Sequence, residues 1–226
     1  LLMLYSLPWD YRFMKRLYHI FLAIVFSAPL CGQTTQFVIE QYTGQISQFE
    51  SLYATYSFEA RGGDGALQFS TEGEFFSEGD KFLVRTSYSD IYCDGESKYI
   101  YDKGSDEIVV VGHNVNDVNM SENPFSVLRN GVSAYEYTSR PKVVMEEGEE
   151  CYLVTLVPKA KQADHSSVNI VVAKKGYALR CRSYKSRKGD TYTARIRSVV
   201  ESGTKGDSFY RPDYDALGDV YVNDLR

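Results

Sequence analysis

Apolar and polar residues alternate along much of the chain after residue 50, which is the pattern of half-buried β-strands. Between Leu52 and Ala60 every second residue is apolar or small, and the period of two returns over 67–75 and 82–88. Glycine-containing turn sequences separate these stretches, such as the one at 61–65. Successive strands joined by short turns predict an antiparallel meander.

The meander is predicted to continue on both sides of a central interruption. Asp94-Gly95 is a tight hairpin signal that leads to Tyr99 and Tyr101. The interruption is predicted as a loop over 112–122 and a short helix over 123–128. The other predicted strands are 108–111, 135–137, 143–145, 151–157, 168–173, 179–184 and 192–200.

One helix is predicted ahead of the strands. Val38, Tyr42, Ile46 and Phe49 recur at helical spacing, which predicts a helix over 35–49 with Thr34 or Thr35 as its N-cap. The apolar stripe of this helix requires a partner surface, and the sheet is the available one.

Large apolar side chains lie on the strand faces that are predicted to point inward. A sheet with one dry face closes on itself or is covered by helices, and it then holds either a packed core or an apolar cavity. The pattern alone leaves both possibilities open. The predicted inward residues are Tyr56, Phe58, Leu67, Phe69, Phe75, Phe82, Val84, Tyr99 and Tyr101.

The N-terminal segment has the pattern of an export signal. Lys15 and Arg16 precede an apolar run over 17–30, which is too short for a comfortable membrane-spanning helix. We therefore predict a cleavable signal peptide over 14–32, with a lipoprotein signal that ends at Cys31 as the alternative.

Two further expectations follow for the boundaries of the protein. Met14 is expected to be the true start, so that residues 1–13 come from an upstream start assignment. Residues 33–226 are expected to form a single exported domain, which in a two-membrane bacterium lies in the periplasm.

Composition narrows the class of protein. The chain has 226 residues and a net charge of -5, and aromatic residues make up 14% of it. Aromatic residues favour strands, while an acidic chain without a basic stripe argues against nucleic-acid binding.

No catalytic or metal-binding motif is found. His113 and His165 both lie in loop-like contexts without Cys or His at metal-ligand spacing, and no HExxH, GxSxG or phosphate-loop motif occurs. We expect neither an enzyme nor a cofactor, and the alternative is a hydrolase whose site is assembled in space around one of the two histidines.

Charged clusters and cysteines are interpreted first as structural. The acidic run over 146–150 is expected to be a solvated turn rather than a cation site. Arg180 and Arg182 are expected on the wet face of their strand. With Lys185, Arg187 and Lys188 they form a solvated strand end or, alternatively, a patch for an anionic head group or acidic partner.

The cysteines that follow the predicted signal peptide are Cys93, Cys151 and Cys181. They are expected to be small packed residues. A Cys151–Cys181 disulfide is the alternative in an oxidising compartment.

The order of these elements resembles the periplasmic outer-membrane lipoprotein carrier family (LolA-like), and its divergent Bacteroidetes-type members in particular. The first helix leads into a Tyr- and Phe-rich first strand, as in the family. The motifs that carry the resemblance are Tyr53-Ala54-Thr55-Tyr56-Ser57-Phe58, Gly73-Glu74-Phe75 through Phe82, Asp94-Gly95 with Tyr99-Ile100-Tyr101-Asp102, Asn123-Pro124-Phe125, Leu156-Val157-Pro158-Lys159 and the ending Val222-Asn223-Asp224-Leu225-Arg226.

The resemblance implies a mainly β fold, an incomplete antiparallel β-barrel (half-barrel) with a few α-helices as a lid over an apolar cavity. It implies that the inward residues named above line a lipid-binding cavity. The lid residues would then be Val38, Tyr42, Ile46, Phe125 and Leu128. The family's latching Arg has no counterpart in the turn over 77–81.

The function implied is that of a carrier that shields the acyl chains of lipoproteins and ferries them towards the outer membrane. Its expected partners are acylated lipoproteins, an inner-membrane lipoprotein-releasing transporter and an outer-membrane acceptor, and it is expected to act as a monomer. The alternatives are a lipid- or misfolded-protein-sensing module of the same fold and a non-binding structural β-domain.

Overall fold

A single curved sheet dominates the fold, which is known from a computed structural model that describes residues 33–114 and 132–226. The strands of this sheet are β1 Ser51–Arg61, β2 Leu67–Glu78, β3 Lys81–Thr86, β4 Ser89–Cys93, β5 Ser97–Asp102, β6 Glu107–Gly112, β7 Tyr135–Glu136, β8 Lys142–Glu146, β9 Glu149–Pro158, β10 His165–Ala173, β11 Leu179–Ser186, β12 Thr191–Glu201 and β13 Tyr221–Asp224. The helices are α1 Thr35–Ile46 and α2 Tyr214–Leu217, with 3-10 turns at Val132–Ala134 and Asp207–Tyr210.

The sheet is open. Its strand order is β13-β6-β5-β4-β3-β2-β1-β12-β11-β10-β9-β7, and β8 pairs with β9 beside β7. Among the described strands the pairing is antiparallel throughout, except that β13 runs parallel to β6. The predicted mainly β, open half-barrel is therefore confirmed.

Two meanders that are local in sequence make up the sheet, and they meet along one long seam. Strands β1–β6 form the first meander and β9–β12 the second. The seam is the antiparallel pairing of β1 with β12, from Leu52 opposite Glu201 to Arg61 opposite Thr191, with one register shift at Thr55/Tyr56.

Helix α1 packs on one face of the sheet, which we call the inner face. The hydroxyl of Thr34 accepts a hydrogen bond from the backbone N–H of Phe37 and caps the helix. Val38, Ile39 and Tyr42 are buried in one cluster with inner-face residues of β1–β4 and β9–β12. The helix ends at Ile46 rather than at the predicted residue 49, because the next N–H groups form turn hydrogen bonds to carbonyls of the last helical turn.

The opposite, outer face is covered where it lies under the C-terminal segment 202–226. Tyr210 is buried against Leu83 and Tyr92 of β3 and β4. Further along the segment, residues around α2 pack on the outer side of β5 and β6. The outer face of β3–β6 is therefore also apolar and buried where this segment packs on it.

The strand expected over 82–88 ends at Thr86, and residues 87 and 88 form a tight turn into β4. The Thr86 hydroxyl accepts hydrogen bonds from the N–H groups of Tyr88 and Ser89 and so fixes this turn. The predicted helix over 123–128 lies outside the described residues. No helix in the described ranges is long and apolar enough to cross a bilayer.

Candidate binding face

The centre of the inner face is apolar and well packed. Phe75, Phe82, Val84 and Ile91 stand side by side on β2, β3 and β4 and are all buried. The rings of Phe75 and Phe82 are stacked with their centroids 6.2 Å apart. This part of the face is filled by the protein's own side chains, including those of α1.

Aromatic side chains continue from this centre to one end of the inner face. Ring centroids are separated by 5.0 Å between Tyr88 and Phe69, 6.4 Å between Phe69 and Phe58, 6.4 Å between Phe58 and Tyr192, and 5.0 Å between Tyr192 and Tyr184. We call these five residues the aromatic band. Phe69 is 37% exposed and Tyr88 is 55% exposed, so one end of the band reaches the solvent.

The other end of the band meets a buried polar group. The Tyr184 ring lies 5.6 Å from that of His165. His165 is buried, with Nδ1 2.6 Å from a carboxylate oxygen of Asp164 and Nε2 3.2 Å from the hydroxyl of Tyr135. If Nδ1 donates to Asp164, Nε2 accepts from Tyr135. Burial raises the pKa of the Tyr135 phenol, which keeps that donor protonated.

Arg182 lies on the inner face, which corrects the prediction that Arg180 and Arg182 share the wet face of their strand. Arg182 is 0% exposed and stands between Ile170 and Ala194 in neighbouring strands. Burial lowers the pKa of its guanidinium to about 10, and the nearby phenols of Tyr42 and Tyr135 act in the opposite direction.

A bulge explains the reversal. Val171 pairs with Cys181 while Val172 pairs with Leu179, so Arg180 is an extra residue and the alternation changes phase there. Arg180 stays half-exposed and pairs with Glu149.

Tyr99 and Tyr101 point to the outer face, although they were predicted to point inward. Cys93 pairs with Lys98 across the β4–β5 hairpin, so Lys98 and Ile100 take the inner positions. The Tyr99 hydroxyl donates to Asp94 at 3.1 Å, while both tyrosines belong to outer-face clusters.

The other predicted cavity residues are brought together on the inner face with one exception. Leu67 is 53% exposed at the end of β2, beside a register shift opposite Arg61. The residues that the structure groups on the inner face are Tyr56, Phe58, Phe69, Phe75, Phe82 and Val84. Their part in lipid binding stays a prediction.

The predicted lid divides into a described and an undescribed part. Val38 and Tyr42 are buried under α1, and Ile46 packs at the edge of the same cluster. Phe125 and Leu128 lie outside the described residues. Three residues of the aromatic band, Tyr88, Tyr184 and Tyr192, were not among the predicted cavity residues. The alternation over 192–196 was the signal that could have found Tyr192.

Tyr56 packs against a glycine on the neighbouring strand. A Cβ placed on Gly73 would stand 2.5 Å from Cζ of Tyr56, which is closer than any normal contact. The absence of a side chain at Gly73 therefore lets the Tyr56 ring lie flat on the strand, and burial raises the pKa of its phenol.

Ion pairs neutralise the acidic turn between β8 and β9. Every glutamate of this turn contacts a basic side chain at 2.7–3.3 Å. The pairs are Glu146 with Arg195, Glu147 with Arg197, Glu149 with Arg180 and Glu150 with Lys174. In the described ranges no group of three or more acidic, His or Cys residues could hold a metal ion.

The cysteines in the described ranges, Cys93, Cys151 and Cys181, are buried free thiols. Cys151 lies on β9 opposite Ala173 of β10, and Cys181 lies on β11 opposite Val171 of β10, so strand β10 separates the two cysteines. Two strand spacings amount to about 10 Å, which is beyond the reach of a disulfide. Burial raises the pKa of the Cys181 thiol to about 12, so it is a poor nucleophile.

Comparison with known proteins identifies the fold class. No protein-family model and no curated protein matches the chain. An uncharacterized conserved protein from Thermus thermophilus shares the fold with a TM-score of 0.53 and 9% identity, over 84% of this chain and 98% of that one.

Two further solved structures match with lower TM-scores. A LolA superfamily protein from Nitrosomonas europaea matches with a TM-score of 0.43 and 11% identity, over 81% of this chain and 100% of that one. The lipoprotein LppX from Mycobacterium tuberculosis matches with a TM-score of 0.46 and 9% identity, over 74% of this chain and 95% of that one. Similarity at this level concerns the fold and carries no function.

Proposed function

We propose that this protein is an exported carrier that shields the acyl chains of lipoproteins and ferries them towards the outer membrane. The observation that carries the proposal is the aromatic band on the inner face of an open sheet. A face that is apolar at its centre and exposes Phe69 and Tyr88 at its end suits a ligand that enters from that end.

The physical requirement of such a carrier is apolar lining. Each CH₂ group of an acyl chain that leaves water contributes about 0.8 kcal/mol, so a single chain supplies ample driving force if the protein offers a dry surface. Release also matters, and an open sheet with a partly exposed lining holds a chain less tightly than a closed core.

The remaining parts of the proposal concern place and partners. We infer export to the periplasm through a signal peptide over 14–32, leaving a single carrier domain over 33–226. Acylated lipoproteins are the cargo, an inner-membrane lipoprotein-releasing transporter supplies it and an outer-membrane acceptor receives it. The carrier works as a monomer and performs no chemistry on its cargo.

The test is uptake of a fluorescent fatty-acyl probe by the purified protein and by a Phe58→Glu, Phe69→Glu variant. Carboxylates in the band would face the acyl chain, so we expect probe affinity to fall at least about tenfold, equivalent to about 1.4 kcal/mol. Competition with an acylated peptide then separates lipoprotein cargo from free lipid.

The control is Val200→Glu, which adds one carboxylate at a residue that is 49% exposed on the outer face of β12. Circular dichroism melting shows whether each variant is folded. Equal affinities for wild-type and double variant, or no uptake by the wild-type protein, would refute the carrier proposal.

A further inference from the structure

Four connections of the sheet lie side by side at the end that carries the exposed part of the aromatic band. We call this the basic end, and it consists of the turns and loops 62–65, 86–89, 159–164 and 185–190. The backbone N–H of Arg187 donates to the carbonyl of Asp164 at 3.2 Å. The carbonyl oxygen of Lys188 lies 3.5 Å from the point where a Cβ on Gly63 would stand, so these segments are in contact.

The lysines of the basic end stand exposed and have no counter-ion in the described part of the chain. Lys161, Lys185 and Lys188 are exposed, and no ion pair joins any of the three to a described carboxylate. The four segments together carry five basic residues and three carboxylates, so their local charge is positive. The carboxylates are Asp64, Asp164 and Asp190.

The acidic turn 146–150 lies at the opposite end of the sheet. There each glutamate has a basic partner within 3.3 Å. Lys175 and Lys205 at that end are exposed without an ion pair among the described residues, and they therefore serve below as matched control sites.

Exposed apolar side chains lie at the same end. Leu67 is 53% exposed, Phe69 37% and Tyr88 55%. A hydroxyl contact of 3.3 Å between Thr71 and Ser87 ties the turn of Tyr88 to β2, so these side chains are presented by hydrogen-bonded strands. Aromatic side chains bind at the head-group level of a bilayer, and lysines are attracted to anionic head groups. A surface that carries both is therefore suited to an anionic bilayer.

We propose that the basic end docks on the surface of an anionic lipid bilayer, with Tyr88 and Phe69 at head-group level and Lys161, Lys185 and Lys188 against lipid phosphates. The aromatic band then opens directly on the membrane. This inference adds a membrane-contact surface to the proposed carrier, and it does not depend on what the inner face binds.

The overall charge of -5 does not oppose this contact. At physiological ionic strength charges are screened over about 8 Å, so a bilayer that touches the basic end senses the local cations and not the acidic turn at the other end of the strands.

The experiment is co-sedimentation of the full chain with vesicles of phosphatidylcholine alone or with about one quarter phosphatidylglycerol. We expect binding to the anionic vesicles that weakens with added salt. In a Lys161→Glu, Lys185→Glu, Lys188→Glu variant the partition coefficient should fall at least about tenfold. All variants keep the same N-terminal segment, so differences among them report on the substituted sites.

The charge control is Lys174→Glu, Lys175→Glu, Lys205→Glu, which makes the same change of net charge at the opposite end and should alter partition less than about twofold. For the aromatic contribution, Tyr88→Ser should weaken partition several-fold while Tyr214→Ser, on α2, should not.

Equal losses in the two lysine variants would overturn the proposal, as would an absence of wild-type binding to anionic vesicles. If the wild-type protein does not bind anionic vesicles, an acidic protein is the alternative partner of the basic end. The triple variant at the basic end should still take up the acyl probe, so a failure of docking is distinguishable from a failure of the carrier proposal.

Discussion

At the scale of single residues, the Tyr56 ring packs directly against Gly73 and leaves no room for a side chain there. Replacement by alanine would place a Cβ 2.5 Å from the Tyr56 ring, and Tyr56 is buried and surrounded. We expect Gly73→Ala to lower the free energy of unfolding by about 1–3 kcal/mol, because overpacking forces the ring or the strand to move. Urea denaturation measures the change.

Gly44→Ala is the control for this prediction. Nothing lies within 4 Å of a Cβ at Gly44 in α1, so the substitution should be neutral or stabilising by up to about 1 kcal/mol. Equal effects at the two glycines would contradict the proposed role of the Tyr56 ring.

Asp94 is a second residue whose chemistry predicts a measurable effect. Burial of this carboxyl alone would raise its pKa, but the N–H groups of Ser97 and Glu96 and the Tyr99 hydroxyl donate to it and bring the pKa below its usual value. Its stabilising contribution is therefore present at neutral pH and is lost as the pH falls below the ordinary pKa of Asp towards the lower pKa of the folded state.

We expect Asp94→Asn to be less stable than the wild type by about 1–3 kcal/mol at neutral pH, with the difference shrinking below about pH 4. Denaturation curves across this pH range test it. The control substitution is Asp102→Asn. The Asp102 carboxylate is exposed and accepts a hydrogen bond from the N–H of Gly104 in the turn that follows it. A difference that persists unchanged in acid would exclude the linkage.

At the scale of elements, the sequence predicts the strands and turns better than it predicts which face they present. Tyr99 and Tyr101 alternate with their neighbours as expected. The C-terminal segment covers the outer face of β5, so an aromatic side chain can be buried on the outer face as well as on the inner face. Nothing in the local pattern reveals that distant cover.

Arg182 illustrates a different limit. One extra residue at Arg180 inverts the alternation, and a bulge leaves no mark in a period-two pattern of this length. The inner-face residues of β1 and β2 were predictable because apolar and polar residues alternate over 52–60 and 67–75.

The C-terminal segment should stabilise the fold without touching the binding face. Tyr210 is 1% exposed and packs with Leu83 and Tyr92 on the outer face. We expect Tyr210→Ala to lower the free energy of unfolding by about 3 kcal/mol or more and to leave the affinity for the acyl probe unchanged.

Thermal melting and probe titration on the same sample separate the two effects. Tyr214→Ala, at a residue 43% exposed on α2, should change stability by less than about 1 kcal/mol. Loss of probe affinity in a folded Tyr210→Ala protein would mean that the two faces are coupled.

At the scale of the whole molecule, a ligand on the inner face should stabilise the folded state. An acyl ligand at about 100 times its dissociation constant adds about 2.7 kcal/mol if it binds only the folded protein. We expect a concentration-dependent rise in melting temperature with the acyl probe. The Phe58→Glu, Phe69→Glu variant should show no such rise, and an equal rise in both proteins would place the ligand elsewhere.

The seam between β1 and β12 has a consequence for how the chain folds. Residues near position 55 must find partners near position 195, so the middle of the sheet joins parts of the chain that are about 140 residues apart, whereas each meander pairs neighbours in sequence. Closing so long a loop carries an entropic cost that short hairpins avoid. We therefore expect the rate-limiting step of folding to be the pairing of β1 with β12, after each meander has partly formed. Substitutions along this seam should slow refolding more than equally destabilising substitutions in the outer strands.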